Sequence, residues 1–374
     1  ALSSAASDVY KRQIVWSWNL TAEQEPKMKA VYKETEGAYT ACLTERPVPT
    51  LTKQDNVLIR VHACTTCGLD MHIWQGKLRD CRPPIIMGHE FVGTIVKAVG
   101  ESLGFSVGER VICQPHLYAC GHCEVCRLGY PQFCRSRRSL GIQRDGALAE
   151  YIAVPARYLH RVPDNLPDEF ACLAEPFTIS VSDVLVHADL TPGESVLIIG
   201  AGQVAQLALV AARCGGASRI FLSGAETDAS LRLPAAAALG ADLVINSGRG
   251  DPVEAVLRAT HGRGVDLAVE ASGSPAGIAA GIKALRPGGR MAVLGATKQP
   301  SVPIPWDAAL RKAVTLQFNM MSDYTHMDRA LALLAAFPGD LSPLITHRHP
   351  LAEWEQCFTE LRDQQGIKGL ITIG

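Results

Sequence analysis

Residues 195–205 read SVLIIGAGQVA, an apolar run that ends in a glycine, one small residue, a second glycine and the start of an alanine-rich stretch. A buried strand that turns straight into a helix through Gly200 and Gly202 leaves few architectures open. The pattern continues to about Gly295, with strand-like RIFLSG, LVINS, VDLAVEAS and RMAVLG alternating with helical QVAQLALVAARCGG, ASLRLPAAAALGA, PVEAVLRATHG and AGIAAGIKALRPGG. Parallel neighbours need a crossover connection, so this alternation predicts βαβ units and a parallel sheet covered on both faces. Pro234 lacks an N–H and should mark the start of its helix or a kink.

In that setting Gly200, Gly202, Gln203 and Val204 read as a dinucleotide-binding turn, with Ala205 in place of the third glycine. The glycines let a pyrophosphate approach the backbone, and the helix N-terminus offers it donors and a positive field. An acid about 20 residues further on would bind the ribose hydroxyls of NAD. The strand ends instead in Ser223 and Gly224, with Glu226 and Asp228 within a loop's reach. Losing the acid would admit a 2′-phosphate and Ser223 could bond one, yet no arginine follows immediately. NAD and NADP therefore both stay open.

At 374 residues the chain exceeds one hydrophobic core of roughly 250–300 residues, so two domains are expected. From Met28 to about Pro163, the runs NVLIRVHA, EFVGTIVKAVG, GERVICQ and ALAEYIAVP, broken by glycine and proline, predict an irregular, mostly antiparallel β domain. After about Asp323 come a helix (HMDRALALLAAF), a bend (LITHRHP), a helix (LAEWEQCFTELRDQ) and a closing strand (KGLITI). Residues 1–13 look like translated adapter sequence, and 14–27 are either further upstream translation or a disordered extension.

Net charge is −1 with no long single-sign run, which argues against nucleic acid or an anionic membrane as partner. The densest basic patch, Arg135, Arg137 and Arg138, reads as solvated surface. Without an apolar run of the ~18–20 residues a span needs, and without a signal-peptide pattern, a cytoplasmic protein is expected.

Four cysteines crowd ACGHCEVCRLGYPQFC: Cys120, Cys123, Cys126 and Cys134, spaced C-x2-C-x2-C-x7-C. In a reducing compartment such a cluster points to metal before disulfides. Two-residue gaps let thiolates converge on one tetrahedral ion, and zinc is favoured over an iron–sulfur cluster. Four protein sulfurs close the site, so it can hold a lobe but do no chemistry at the metal. Further ligand types are Cys67, Asp70 and His72 in CGLDMHIWQG, His89 and Glu90 in MGHEFVG, and Glu175 in LAEPFTIS, with Cys172 as competitor. Taken singly, each has an ordinary packing, turn or helix-start explanation.

Together these motifs resemble the zinc-dependent medium-chain dehydrogenase/reductase (alcohol dehydrogenase) superfamily, most nearly its sorbitol/L-iditol and threonine dehydrogenase-like branch. CGxDxH, GHExxG, the cysteine lobe, the AEP acid and a nucleotide fold with a THRxPL-like return occur in the family's order. The resemblance implies an α/β two-domain chain: a GroES-like, mostly antiparallel β domain (28–180, zinc lobe 113–138), a Rossmann doubly wound parallel sheet (181–320), and a return to the first domain (321–374). It also implies a homodimer or homotetramer with two zinc ions per chain.

Carried over, Cys67 and His89 would hold a catalytic zinc with Glu175 or Glu90 and a water, and Asp70 would steady His89. Lys368, with Arg348 as a weaker candidate, would lie near the pyrophosphate, and Gly273 and Gly295 would line the nicotinamide channel. The implied reaction is hydride transfer between a secondary alcohol or polyol and NAD or NADP through a zinc-bound alkoxide, since an open zinc lowers the pKa of bound water from about 16 to nearer 7. Where relatives carry Ser or Thr two residues after the zinc cysteine, this chain has Leu69, which cannot relay a proton; His72, a bound water or Glu175 would have to. The extra residue in GTIVKAVG should form a bulge. Trp74, His116 and Tyr118 are candidate substrate walls. The alternatives are a zinc-dependent reductase, a zinc-poor reductase that lacks the catalytic metal, a threonine-type dehydrogenase and a catalytically weak cofactor-binding relative.

Overall fold

In the computed structural model, which describes residues 26–320 and 323–374, six strands pair in parallel in the order Leu243–Asn246, Arg219–Gly224, Ser195–Ile199, Val265–Glu270, Leu285–Val293 and Thr315–Phe318. The expectation for residues 1–27 falls almost wholly outside the described residues. Both faces of the sheet are covered, which is why its strands read as continuous apolar runs. Val196 and Ile198 pack with Ala205 and Leu209 of helix Gln203–Cys214, while Leu197 and Ile199 pack with Ile278 and Ile282 of helix Pro275–Ala284. Pro234 falls in the first turn of helix Arg232–Ala238, the place where a missing N–H costs nothing. Chain order reverses between Ser195–Ile199 and Val265–Glu270, and ligands bind outside the carboxyl ends of strands at such a switch point.

The other large sheet runs Leu159–Arg161, Arg110–Cys113, Glu90–Ala98, Val57–Thr65, Lys368–Thr372 and Ile345–Pro350, with Tyr151–Val154 also on Val57–Thr65. Its pairings are antiparallel apart from the last. The extra residue is a bulge: Leu58 opposes Lys97 and Ile59 opposes Ile95, so Val96 has no opposite number.

One expectation is corrected here. LITHRHP is not a bend, because Ile345–Pro350 is an edge strand paired in parallel with Lys368–Thr372. Polar alternation and a terminal proline are tolerated at an edge and make such a strand look like a turn in sequence. Helix Ala174–Ser180, which continues as the π-helical Val181–His187, joins the two sheets. Among the described residues, no helix is long and apolar enough to cross a membrane.

Candidate active site and metal centres

Strand register builds the first site. Thr65 lies opposite Glu90, so the residues just past one strand's end meet those just before the other's start. Cys67 caps helix Gly68–Trp74: Asp70 Oδ2 accepts its N–H at 3.0 Å, and its Sγ accepts the Leu69 N–H at 3.5 Å. Cys67, His89 and Glu90 then offer a sulfur, a ring nitrogen and a carboxylate oxygen all within 4.8 Å of one another. The buried Asp70 carboxylate stands 3.4 Å from His89 Nδ1. Glu90 is wholly buried, and its Oε2 accepts from Thr65 Oγ1 at 2.6 Å and Lys368 Nζ at 2.5 Å.

Glu90 Oε1 is also buried and has no hydrogen-bond partner among the described residues. Leaving such an oxygen unserved costs about 1–3 kcal/mol or more for a charged group, and a cation between it, Cys67 and His89 would serve it. A sulfur, nitrogen and oxygen set with room for a fourth ligand suits an open zinc site.

Electrostatics around this group is strongly perturbed. Burial pushes the Cys67 thiol up. It would push His89 down, but the Asp70 carboxylate and Cys67 outweigh it and the imidazole ends well above its usual range. Glu175 is pushed up to about 7, chiefly by burial. Glu175 shares with the three candidate ligands a cavity of about 200 Å³, whose other walls include Leu69, Pro115, His116, Ser139, Leu140, Ile142, Pro176, Ile179, Gln203 and Val204. Of the two acids left open by sequence, Glu90 joins the close group and Glu175 lines the cavity beside it.

The four-cysteine cluster forms a second group, with all four sulfurs within 4.8 Å of one another. The short helix Glu124–Arg127 and a 3-10 turn at Pro131–Phe133 bend the loop so that Cys134 returns to the other three. The Cys120 N–H points at Cys134 Sγ at 3.3 Å, and this bond draws that thiol down to about 6. Backbone donors aimed at sulfur favour the thiolate that a metal needs.

The Rossmann-type turn is formed as its glycines require. Gly200 has φ +106°, and a Cβ there would press on the Ala271–Ser272 peptide at 3.1 Å. Gly202 caps helix Gln203–Cys214, and a Cβ there would project into open space, the cradle a pyrophosphate needs. Gly273 and Gly295 meet at the ends of their strands, where the Glu270 carboxylate accepts the Gly273 N–H at 3.0 Å. Ser223 is buried and its carbonyl accepts the Gly200 N–H at 2.8 Å.

Several expected residues lie elsewhere. Arg348 is exposed and bound to Glu169 at 2.7 Å, an acid on helix Asp168–Ala171. Lys368 reaches Gln203 Oε1 at 3.1 Å, but its main partner is Glu90. His72 is outside the close group, with Lys298 and Lys77 facing it and burial holding its pKa down. Trp74 is core, edge-on to Tyr39, Trp354 and Phe358, and the Tyr118 hydroxyl donates to Asp55. Of the three candidate walls, His116 alone lines the cavity.

Residues 53–164 match the family described as Alcohol dehydrogenase GroES-like domain, and residues 204–336 match Zinc-binding dehydrogenase. The L-threonine 3-dehydrogenase of Pectobacterium carotovorum subsp. carotovorum (strain PC1) is 32% identical over 349 residues, covering 92% of this chain and 98% of its own. The chain belongs to the zinc-dependent medium-chain dehydrogenase/reductase superfamily. Alcohol dehydrogenase TADH from Thermus sp. ATN1 superposes with a TM-score of 0.83 at 32% identity, over 93% of this chain and all of that one. A zinc-binding dehydrogenase from Sinorhizobium meliloti 1021, solved bound to NADP, gives 0.84 at 27% identity over 93% of this chain and 100% of its own. This dehydrogenase is thus an enzyme of zinc and a nicotinamide dinucleotide, with a GroES-like domain and a Rossmann sheet.

Sequence reasoning missed Thr65, Pro115, Ser139, Leu140, Ile142, Pro176 and Ile179. None of these carries a local signal, since only the tertiary fold assembles them.

Proposed function

We propose that this dehydrogenase oxidises a small, mainly apolar secondary alcohol with NAD(P) and reduces the matching ketone. The observation that carries the reading is the cavity wall. Leu69, Pro115, Leu140, Ile142, Pro176, Ile179 and Val204 dominate it, no lysine or arginine lines it among the described residues, and two of its polar groups, His116 and Ser139, are bonded to each other at 2.9 Å. A polyol would leave hydroxyls unpaired there, and an amino-acid carboxylate would lack a cation, both costly in a confined site.

In this reading Cys67, His89 and Glu90 hold the catalytic ion, and Cys120, Cys123, Cys126 and Cys134 hold the structural one. A zinc bound at the first site supplies Lewis acidity, lowering the pKa of an alcohol O–H or polarising a carbonyl. Asp70 fixes the Cys67 turn and faces His89; Lys368 and Thr65 fix Glu90. Leu69 excludes water from the cavity. With no hydroxyl at position 69, Glu175 is the carboxylate free to take the alcohol proton. Gln203 and Val204 bring the helix N-terminus that binds the dinucleotide to the same cavity, so the acceptor ring and the alcohol carbon can share one space.

Initial rates of reduced-nicotinamide formation across secondary alcohols, polyols and threonine test this. Highest kcat/KM for an alkyl secondary alcohol is expected. Threonine, the substrate named for the 32%-identical relative, is the second reading; faster turnover of threonine or of a polyol sinks the first.

A further inference from the structure

At the end of strand Arg219–Gly224, where a dinucleotide-binding sheet places the acid that faces the adenosine ribose, this chain has a glycine. The space a side chain at 224 would enter is taken. A Cβ there would stand 2.7 Å from Leu233 Cδ2, 2.9 Å from Ala201 Cβ and 3.0 Å from Asp228 Oδ2. A carboxylate does therefore stand at the strand end, delivered from further along the chain. The 3-10 turn Glu226–Asp228 folds it back: Asp228 Oδ2 accepts the Ala225 N–H at 2.9 Å, and Oδ1 accepts from Arg232 at 3.1 Å. Arg232 also donates to the Gly366 carbonyl at 3.1 Å, tying this corner to the C-terminal return. Asp228 is buried near Ala201, the residue between the two glycines of the turn.

We propose that Asp228 supplies the ribose-facing carboxylate and makes the enzyme select NAD(H) over NADP(H). A 2′-phosphate would meet this buried negative charge, and both nearby guanidinium groups are already paired with an acid. Arg232 is engaged by Asp228 and Gly366; Arg249 is paired with Glu226 at 2.5 Å, and Asn246 holds the same carboxylate at 2.9 Å. Recruiting either arginine would leave an acid without its cation. Gly224 belongs to the same device, because only glycine leaves room for Asp228 at the strand end. The inference rests on the family's dinucleotide site and not on the proposed alcohol.

The test is the Kd of NADH and of NADPH, read from nicotinamide fluorescence on zinc-loaded enzyme without alcohol. Wild type should bind NADH at least about tenfold more tightly. In D228N and D228S the ratio should fall to within about threefold through weaker NADH binding, while E226Q keeps the wild-type ratio. G224A, which pushes against the Asp228 carboxylate without altering it, should lower the ratio in the same direction. Equal or tighter NADPH binding by wild type overturns the proposal whether or not the variants fold. An unchanged ratio in a folded Asp228 variant, or a collapse in E226Q instead, overturns the assignment to Asp228. Binding of neither cofactor would strike the dinucleotide reading itself.

Discussion

Asp266 offers a sharp test of how the Rossmann sheet is held. Its carboxylate is almost fully buried at the start of strand Val265–Glu270 and takes five hydrogen bonds. Ser195 donates its N–H at 2.9 Å and its hydroxyl at 2.8 Å, Arg263 donates twice at 2.5 and 3.0 Å, and Arg286 donates at 2.7 Å. Three strands are thereby fastened at one end. In D266N the amide oxygen can still serve Ser195, but the amide NH2 faces guanidinium donors.

Arg263 is half exposed, so its share is screened and small; Arg286 is better buried. Losing the charge-assisted bonds should cost about 3 kcal/mol, a fall in Tm of roughly 4 °C for a chain of 374 residues. The pH dependence follows in sign. Burial alone would raise the Asp266 carboxyl, but Arg263, Arg286 and Ser195 outweigh it and hold it well below the usual carboxylate range. A depressed folded pKa gives stability that is fully present above the unfolded value of about 3.9 and is lost as pH falls from there toward the folded one. Calorimetry of wild type and D266N at pH 7, 5, 4 and 3.5 should show a gap that is constant down to about pH 5 and then narrows. A gap under ~1 kcal/mol at pH 7, or one that stays constant to pH 3.5, refutes the reasoning.

Other expectations concern the site. L69S should leave kcat for alcohol oxidation at neutral pH within about threefold of wild type, because Glu175 already takes the proton, while E175Q should cut it at least about tenfold; a tenfold gain in L69S means that the relay is missing and that Glu175 does not carry the proton. C126S should reduce bound zinc from two to one per chain and make residues 113–138 protease-sensitive while the first site keeps its ion, with metal analysis and limited digestion as readouts. G295A should cut dinucleotide affinity by at least about tenfold in a titration, since its Cβ would run into Gly273 and the Glu270 carboxylate. K368M should destabilise the enzyme by about 3–5 kcal/mol because it strands buried Glu90, and E90Q/K368M should recover much of that loss in the same melting assay.

The Rossmann half was legible because its fold is written in local periodicity: buried strands, alanine-rich helices and two glycines in fixed order. The β domain was legible mainly through its ligand motifs, and LITHRHP was misread because an edge strand need not look apolar. Cys67, His89 and Glu90 could be named as ligand types from sequence, yet their convergence depends on the Thr65–Glu90 register, a pairing across 25 residues that no local pattern reveals. Lys368 was tied to the pyrophosphate by resemblance, whereas the buried charge of Glu90 holds it at 2.5 Å. The ion pair of Arg348 was not legible because its partner Glu169 is 179 residues away. Asp228 went unassigned because a folded-back loop, and not the strand, carries it to its place.

The pairing of Lys368 with Glu90 has a consequence for biosynthesis. The sheet containing Val57–Thr65 acquires Lys368–Thr372 as a neighbour across 303 residues, with the Thr66 N–H on the Gly369 carbonyl at 3.0 Å. Until the Rossmann segment has been made, Glu90 lacks its buried cation and the Ala63–Thr65 part of that strand edge has no partner, Tyr151–Val154 covering only Val57–Arg60. Domains that emerge first generally fold first, but this one can complete its centre only after the second has left the ribosome. The first-made half must wait with an open edge and an uncompensated acid, so truncations or stalled chains ending before residue 368 should be the aggregation-prone species of this enzyme.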